Sequence, residues 1–186
     1  MVYESYTWKQ DLLRRKRLIL KHNTAEHFDR DFDSTYAVFE KSVFYSAFII
    51  RKLIDCVGKL SNEATQYVFK ARSIKPLAHI DLMHRWPEEG SHDWEHEKIV
   101  TVSGKDVCNW LIHSYIFFPE FVEGGAIINF CVSSDYDKNR ALYKISLDDW
   151  LAYIEFIATD YIIRASSHYD EKVDDYIYTS KERGVR

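Results

Sequence analysis

Between Thr35 and Leu60 the chain carries Tyr36, Phe39, Val43, Phe44, Ala47, Phe48, Ile50, Ile54 and Val57 at three- and four-residue intervals, and neither Gly nor Pro interrupts it before Gly58. Apolar side chains at that spacing share one face of an α-helix. The stretch predicts one long helix buried along a wide stripe and ended by Gly58. Such a stripe is stable only when other elements cover it. Gly and Pro are scarce, at 6 and 3 of 186 residues, where average usage is ~12 % for the two together. That excludes a linker-rich, disordered or collagen-like chain, and at this length roughly 70 % of the unfolded surface can be buried without disulfides or metal.

Residues 4–29 carry Trp8, Leu12, Leu13, Ile19 and Leu20 among basic side chains and predict a first amphipathic helix. The polar run His27–Asp33 is read as the turn, with Asp33 or Ser34 capping the long helix. Leu60-Ser61 can start a shorter helix over 62–70. Residues 71–96 show no sustained period and read as irregular, with a short strand near Leu77–Met83. Lys98–Val102 is β-branched and reads as a strand. Ser103-Gly104-Lys105-Asp106 supplies an N-cap with an acid at N3, so a helix is expected from Lys105 to Ser114. Tyr115–Phe121, Ala126–Ser133 and Ala141–Ser146 predict an antiparallel meander. Ser146 and Asp149 repeat the cap signature before a terminal helix reaching about Ala165, and beyond His168 a charged tail is expected to fray. The fold class is α+β: several long helices packed with a small antiparallel β-meander, in a single domain over 1–186. Its parts are helical (1–70), irregular and His-rich (71–96), α/β (97–168) and a charged tail (169–186).

The net charge of −4 argues against a generic nucleic-acid coat, yet residues 1–60 hold 11 Lys and Arg against 8 Asp and Glu. Arg14, Arg15, Lys16 and Arg17, with Lys52 farther on, form a candidate nucleic-acid footprint, for which a solvated helix face is the plainer explanation. Three dispersed cysteines, Cys56, Cys108 and Cys131, read as reduced core residues of a cytoplasmic protein. The opening MVYESYTWKQ lacks the pattern of a signal peptide. The longest run without formal charge, Val107–Pro119, is 13 residues, short of the ~20 needed to span a bilayer, so no membrane is expected as a partner.

Three constellations carry candidate chemistry. His79, His84, His92 and His96, interspersed with Asp81 and Asp93, are metal-ligand types, and their alternative reading is a metal-dependent hydrolase. His92 and His96 lack the glutamate that a zinc-protease helix places directly after its first histidine. Arg51 interrupts the apolar long helix four residues before Asp55, so it either pairs internally or points into a cleft, where its fork can hold a phosphate or carboxylate. Asn109 and His113, at i and i+4 of the predicted helix, share a face, and a His beside an Asn can serve in acid–base chemistry near neutral pH.

Asn109-xxx-His113, with the long helix bearing Arg51, resembles the HEPN superfamily over residues 35–60 and 103–115. These are helical, usually dimeric proteins of bacterial and archaeal toxin–antitoxin and phage-defence systems, many of them metal-independent endoribonucleases. Their signature is an Arg followed after four to six residues by a His. Here Val107 stands six before His113, and Arg164-Ala-Ser-Ser-His168 is one residue too short. The resemblance implies that His113 transfers the proton, that Asn109 is its polar neighbour, and that Arg51 takes the missing arginine's place from another helix. It implies RNA as partner, with no cofactor, for an active endoribonuclease or a catalytically degenerate binding copy. The rival reading is a non-enzymatic module that assembles with itself or another protein, on the strength of Tyr115, Phe117, Phe118, Phe121 and Phe130.

Overall fold

In the computed structural model, which describes residues 2–185, the predicted first helix is two: α1 (Ser5–His22) and α2 (Ala25–Arg30). The break sits at Asn23. Its amide donates to the Ile127 carbonyl at 2.8 Å and accepts from the Ile127 N–H at 2.7 Å, while Thr24 caps α2. The long stripe forms α3 (Phe32–Asp55), which starts earlier than predicted because Asp31 is the N-cap, its carboxylate accepting from the Ser34 N–H at 3.1 Å. Phe39, Val43, Ala47, Ile50 and Leu53 are buried along it, and the chain turns beyond it through Gly58 at φ +81°.

Ser61 caps α4 (Asn62–Thr65), but this helix is a single turn. The rest of the predicted 62–70 helix gives way to strand β1 (Val68–Ile74), whose residues alternate between covered and open faces. No strand forms near Leu77–Met83, and residues 75–97 are irregular apart from a bridge between Pro76 and His92. β2 (Lys98–Ser103) and α5 (Gly104–Ile112) follow as expected, the Ser103 hydroxyl accepting from the Asp106 N–H at 3.1 Å. The meander is β3 (Ser114–Phe121), β4 (Ile127–Ser134) and β5 (Leu142–Ser146), and Ser146 caps α6 (Leu147–Thr159).

The C-terminal expectation is corrected. α6 stops at Thr159 rather than near Ala165, and in place of a frayed tail the chain makes β6 (Asp160–Asp170) and β7 (Asp175–Val185), an antiparallel ribbon. The hinge is Asp160, extended at φ −69°, ψ 134°, whose buried carboxylate accepts from the N–H and hydroxyl of Ser61.

The main sheet is antiparallel throughout, in the order β2-β1-β5-β4-β3. Alternation along its strands sends Phe69, Phe130, Val132 and Ile145 into a large core shared with α1, α3, α5 and α6. The opposite side of the sheet buries Ile74, Ile116, Cys131 and Leu142 with Ile80 of the irregular segment. The fold is thus α+β, with helices on one face and the 75–97 segment over the other. Among the described residues no helix is long and apolar enough to cross a membrane.

Gly104 is where α5 meets α6. Its N–H donates to the Tyr67 carbonyl at 2.8 Å, and a Cβ there would overlap the hydroxyl of Tyr153, which is 1 % exposed. Gly104→Ala is expected to lower stability by ~1–3 kcal/mol through overpacking. Urea unfolding checks this, and a midpoint unchanged from wild type would contradict it.

Candidate functional site

α3 and α5 pack against each other, and this brings together residues 58 apart in sequence: the Nε of Arg51 donates to Oδ1 of Asn109 at 2.7 Å. The same guanidinium ion-pairs with Asp55, one turn on along α3, and its side chain keeps 24 % exposure. His113 is the C-cap of α5, its N–H donating to the Asn109 carbonyl at 2.9 Å, and its ring is exposed. Its own carbonyl accepts from the Asp135 N–H at 3.2 Å, which draws the turn after β4 against the end of α5.

These contacts define one cleft of about 820 Å³, lined by Arg51, Asn109 and His113 together with Asp106, Trp110 and the Ser134–Asp137 turn. All three residues expected to act together do line it. The remainder of the wall was not foreseen. Trp110 lies flat on Tyr143, with centroids 3.7 Å apart, and its indole N–H donates to Asp137 at 3.0 Å. Asp137 also accepts from the Ser134 hydroxyl at 2.8 Å and returns its own N–H to that oxygen at 3.2 Å. The visible signal is Ser134-x-x-Asp137, a side-chain turn within the polar connection between β4 and β5.

The cleft's carboxylates are held. Asp106 accepts from the Ser103 hydroxyl at 2.6 Å, Asp135 pairs with Lys138 at 2.7 Å, and Asp137 has the donors just named. Burial, with Asp137 and Asp106 adding to it, raises the pKa of the Tyr143 phenol above its ordinary value, so the phenol is neutral at physiological pH. Burial likewise pushes the Cys108 thiol far up, against the opposing pull of Arg51, and pushes Cys131 up to about 12. Neither presents a thiolate nucleophile at neutral pH. The cleft therefore offers a fixed guanidinium, an exposed imidazole, an oriented amide and an aromatic rim at Tyr136, which is 74 % exposed.

The basic residues of α1 lie elsewhere. Lys16 pairs with Glu155 at 2.6 Å, Arg15 stacks over Tyr45 at 4.5 Å, Arg17 donates to the Leu13 carbonyl at 3.2 Å, and Arg14 is 3.7 Å from Asp11. Lys9, on the same helix, is buried with its ammonium donating to main-chain carbonyls of Lys59 and Asp160. Lys52 lies over Phe48 at 5.7 Å, and it is absent from the lining of the Arg51 cleft. A separate groove of about 580 Å³ on α1 and α3 contains Arg14 and Arg17.

The four histidines of the metal alternative do not assemble. His84 bonds Asp81 at 2.9 Å, His96 bonds Asp93 at 2.8 Å, His92 is buried beside Ser91, and His79 is exposed. Among the described residues no group of three or more His, Cys, Asp or Glu is placed to hold a metal ion. No family model, curated protein or solved structure matches this chain.

His92 does have a physical role. It is 3 % exposed, its Nδ1 lies 2.9 Å from the Ser91 hydroxyl, and its strand-like bridge to Pro76 closes the 75–97 segment. Burial holds its pKa below the ordinary imidazole value. Above about pH 6.5 the ring is neutral both folded and unfolded. As pH falls from there toward the depressed folded value, the unfolded chain takes up the proton first, so this stabilisation is lost. Protection of the Leu77 and Asp93 amides, which donate to Ser91 and Lys75 at 2.8 and 2.9 Å, should decline between pH 7 and 5. In His92→Gln it should be lower at pH 7 and flat with pH, as read by hydrogen exchange corrected for intrinsic rates.

Proposed function

We propose that the Arg51–Asn109–His113 cleft engages RNA one nucleotide at a time and cleaves it without a metal, in a HEPN-like protein serving a defence or toxin role. What supports this reading is the 2.7 Å bond from Arg51 Nε to Asn109 Oδ1 on the wall that also carries His113. In the reaction, the His113 imidazole takes the proton of a ribose 2′-hydroxyl as that oxygen attacks the adjacent phosphorus. The P–O5′ bond breaks, the imidazolium returns its proton to the departing 5′-oxygen, and a 2′,3′-cyclic phosphate remains. The remaining guanidinium N–H groups of Arg51 face the phosphoryl oxygens as charge builds on them. Asn109 sets the direction of that guanidinium.

Asp106, Asp135 and Asp137 oppose a continuous phosphate track across the cleft. A single nucleotide turned out of the strand suits it better, its base stacking on exposed Tyr136 and its polar edge meeting the carboxylates. The interaction-module reading loses its first warrant. Phe130 is fully buried, and Tyr115, Phe117, Phe118 and Phe121 pack on the two cores. Its remaining warrant is the exposed Tyr169 and Tyr176 on β6 and β7.

The test incubates the full chain with a mixed-sequence RNA pool at low salt in EDTA and follows cleavage and binding separately. Wild type should yield cyclic-phosphate ends. His113→Ala should lower the rate by about 10²-fold or more while leaving RNA affinity within a few-fold. Arg51→Lys, which retains the charge but not the fork, should weaken both. Binding without cleavage would remove the catalytic step, and neither binding nor cleavage would sink the whole proposal.

A further inference from the structure

β6 and β7 form a ribbon of 11-residue strands, ~35 Å long at ~3.3 Å per residue. Its register sets Tyr169 opposite Tyr176 and Ser167 opposite Tyr178, so the three tyrosines share one side. They are 48, 67 and 41 % exposed, and the Tyr169 and Tyr176 rings meet at 5.4 Å. The ribbon is held to the body by Arg183 on Asp160 at its root and by Tyr178 against Gly58 nearer the tip, which leaves Tyr169 and Tyr176 as the rings open at the far end. The far end has no such support, and a two-stranded ribbon is marginal by itself in water. That end carries Asp170, Glu171, Asp174 and Asp175 against Lys172, and among the described residues none of the four carboxylates makes an ion pair.

The opposite charge sits on α1. From Arg14 to Lys21 there are five basic side chains and no acid. Among the described residues Arg17 and Lys21 have no ion pair, and Arg14 has only its 3.7 Å approach to Asp11. Beside them is the groove of about 580 Å³ between α1 and α3, walled by Tyr6, Trp8 and Tyr45. Tyr6 and Tyr45 are 55 and 46 % exposed.

We propose that the acidic, tyrosine-faced end of this arm docks in the α1–α3 groove of a second copy of the chain, and that the second copy's arm docks reciprocally to close a two-fold dimer. One chain bears both surfaces, each with unpaired charge of opposite sign and each with exposed aromatic rings, so a second copy satisfies both at once. Reciprocal exchange closes the assembly, where a one-way contact would build a filament. Since unlike charges make the contact, it weakens as salt shortens the screening length from ~10 Å at 0.1 M to ~3 Å at 1 M.

The experiment uses nucleic-acid-free full chain and sedimentation equilibrium at 50 mM and 500 mM salt. Wild type should be dimeric at low salt, with a dissociation constant at least tenfold weaker at high salt. Glu171→Lys/Asp175→Lys sets positive arm against positive groove, and Arg14→Glu/Arg17→Glu sets negative against negative, so each double variant alone should be monomeric. Mixed together, they present two matched contacts and should form a heterodimer with near wild-type affinity, which misfolded variants could not do. A wild type monomeric at 100 µM, a dimer indifferent to either double change, or a mixture that stays monomeric would each overturn the proposal. No residue of the Arg51 cleft is altered, so this outcome and that of the RNA assay are separate.

Discussion

Asp160 is the interaction on which the arrangement of the helices and the ribbon depends. Its carboxylate is 1 % exposed and accepts from the Ser61 N–H at 2.9 Å and the Ser61 hydroxyl at 2.6 Å, with Arg183 of β7 at 3.3 Å. Its main-chain carbonyl accepts from the buried ammonium of Lys9 on α1. The Ser61 hydroxyl in turn accepts from the Ala64 N–H at 3.1 Å as the cap of α4. One residue therefore joins α1, α4, α6, β6 and β7. A buried carboxylate left without these partners would cost on the order of 3–5 kcal/mol, so the geometry of all five is set together.

From that node the rest follows by layers. α1 and α6 are held side by side, α3 crosses against both α1 and α5, and α5 lies where β4 ends. The far end of α3 thereby meets the middle of α5, and Arg51 reaches Asn109. The cleft is a consequence of helix packing over the sheet. The arm is a consequence of the same node on its other side, since the chain leaves the body in extended form directly after Asp160.

What could be read from sequence divides along the same line. Local signals were legible: the α3 stripe, the Ser103 and Ser146 caps with Asp106 and Asp149 following, and the β-branched run of β2 all take the form their residues dictate. β1 escaped because its inward residues, Phe69 and Ala71, alternate with the charged Lys70 and Arg72, and so short a period of two is easily read as helix surface. The ribbon escaped because Tyr161 and Ile162 continue the apolar spacing of α6, and only a tertiary partner for Asp160 ends the helix before them. Tyr176-Ile177-Tyr178-Thr179 did carry strand character, hidden by its charged neighbours. In the site, Asn109 and His113 were legible because i, i+4 is a local relation. The approach of Arg51 depends on packing between elements, which periodicity does not encode.

Arg51 also shows why an internal ion pair and a functional cation are not rival readings. A guanidinium has five N–H donors in a plane. Two directions are spent here, Nε on Asn109 and Nη1 on Asp55, and these fix the plane without exhausting the donors. The pairing that satisfies a charge inside an apolar helix also fixes the guanidinium on the cleft wall, so that an anion bound there, as proposed, would cost little further side-chain entropy. A lysine at the same place would satisfy Asp55 or Asn109 with a rotating point charge and leave no fixed edge. In the proposed reaction, the residue's fitness for a phosphoryl group would thus rest on the contacts that a purely structural account would call sufficient.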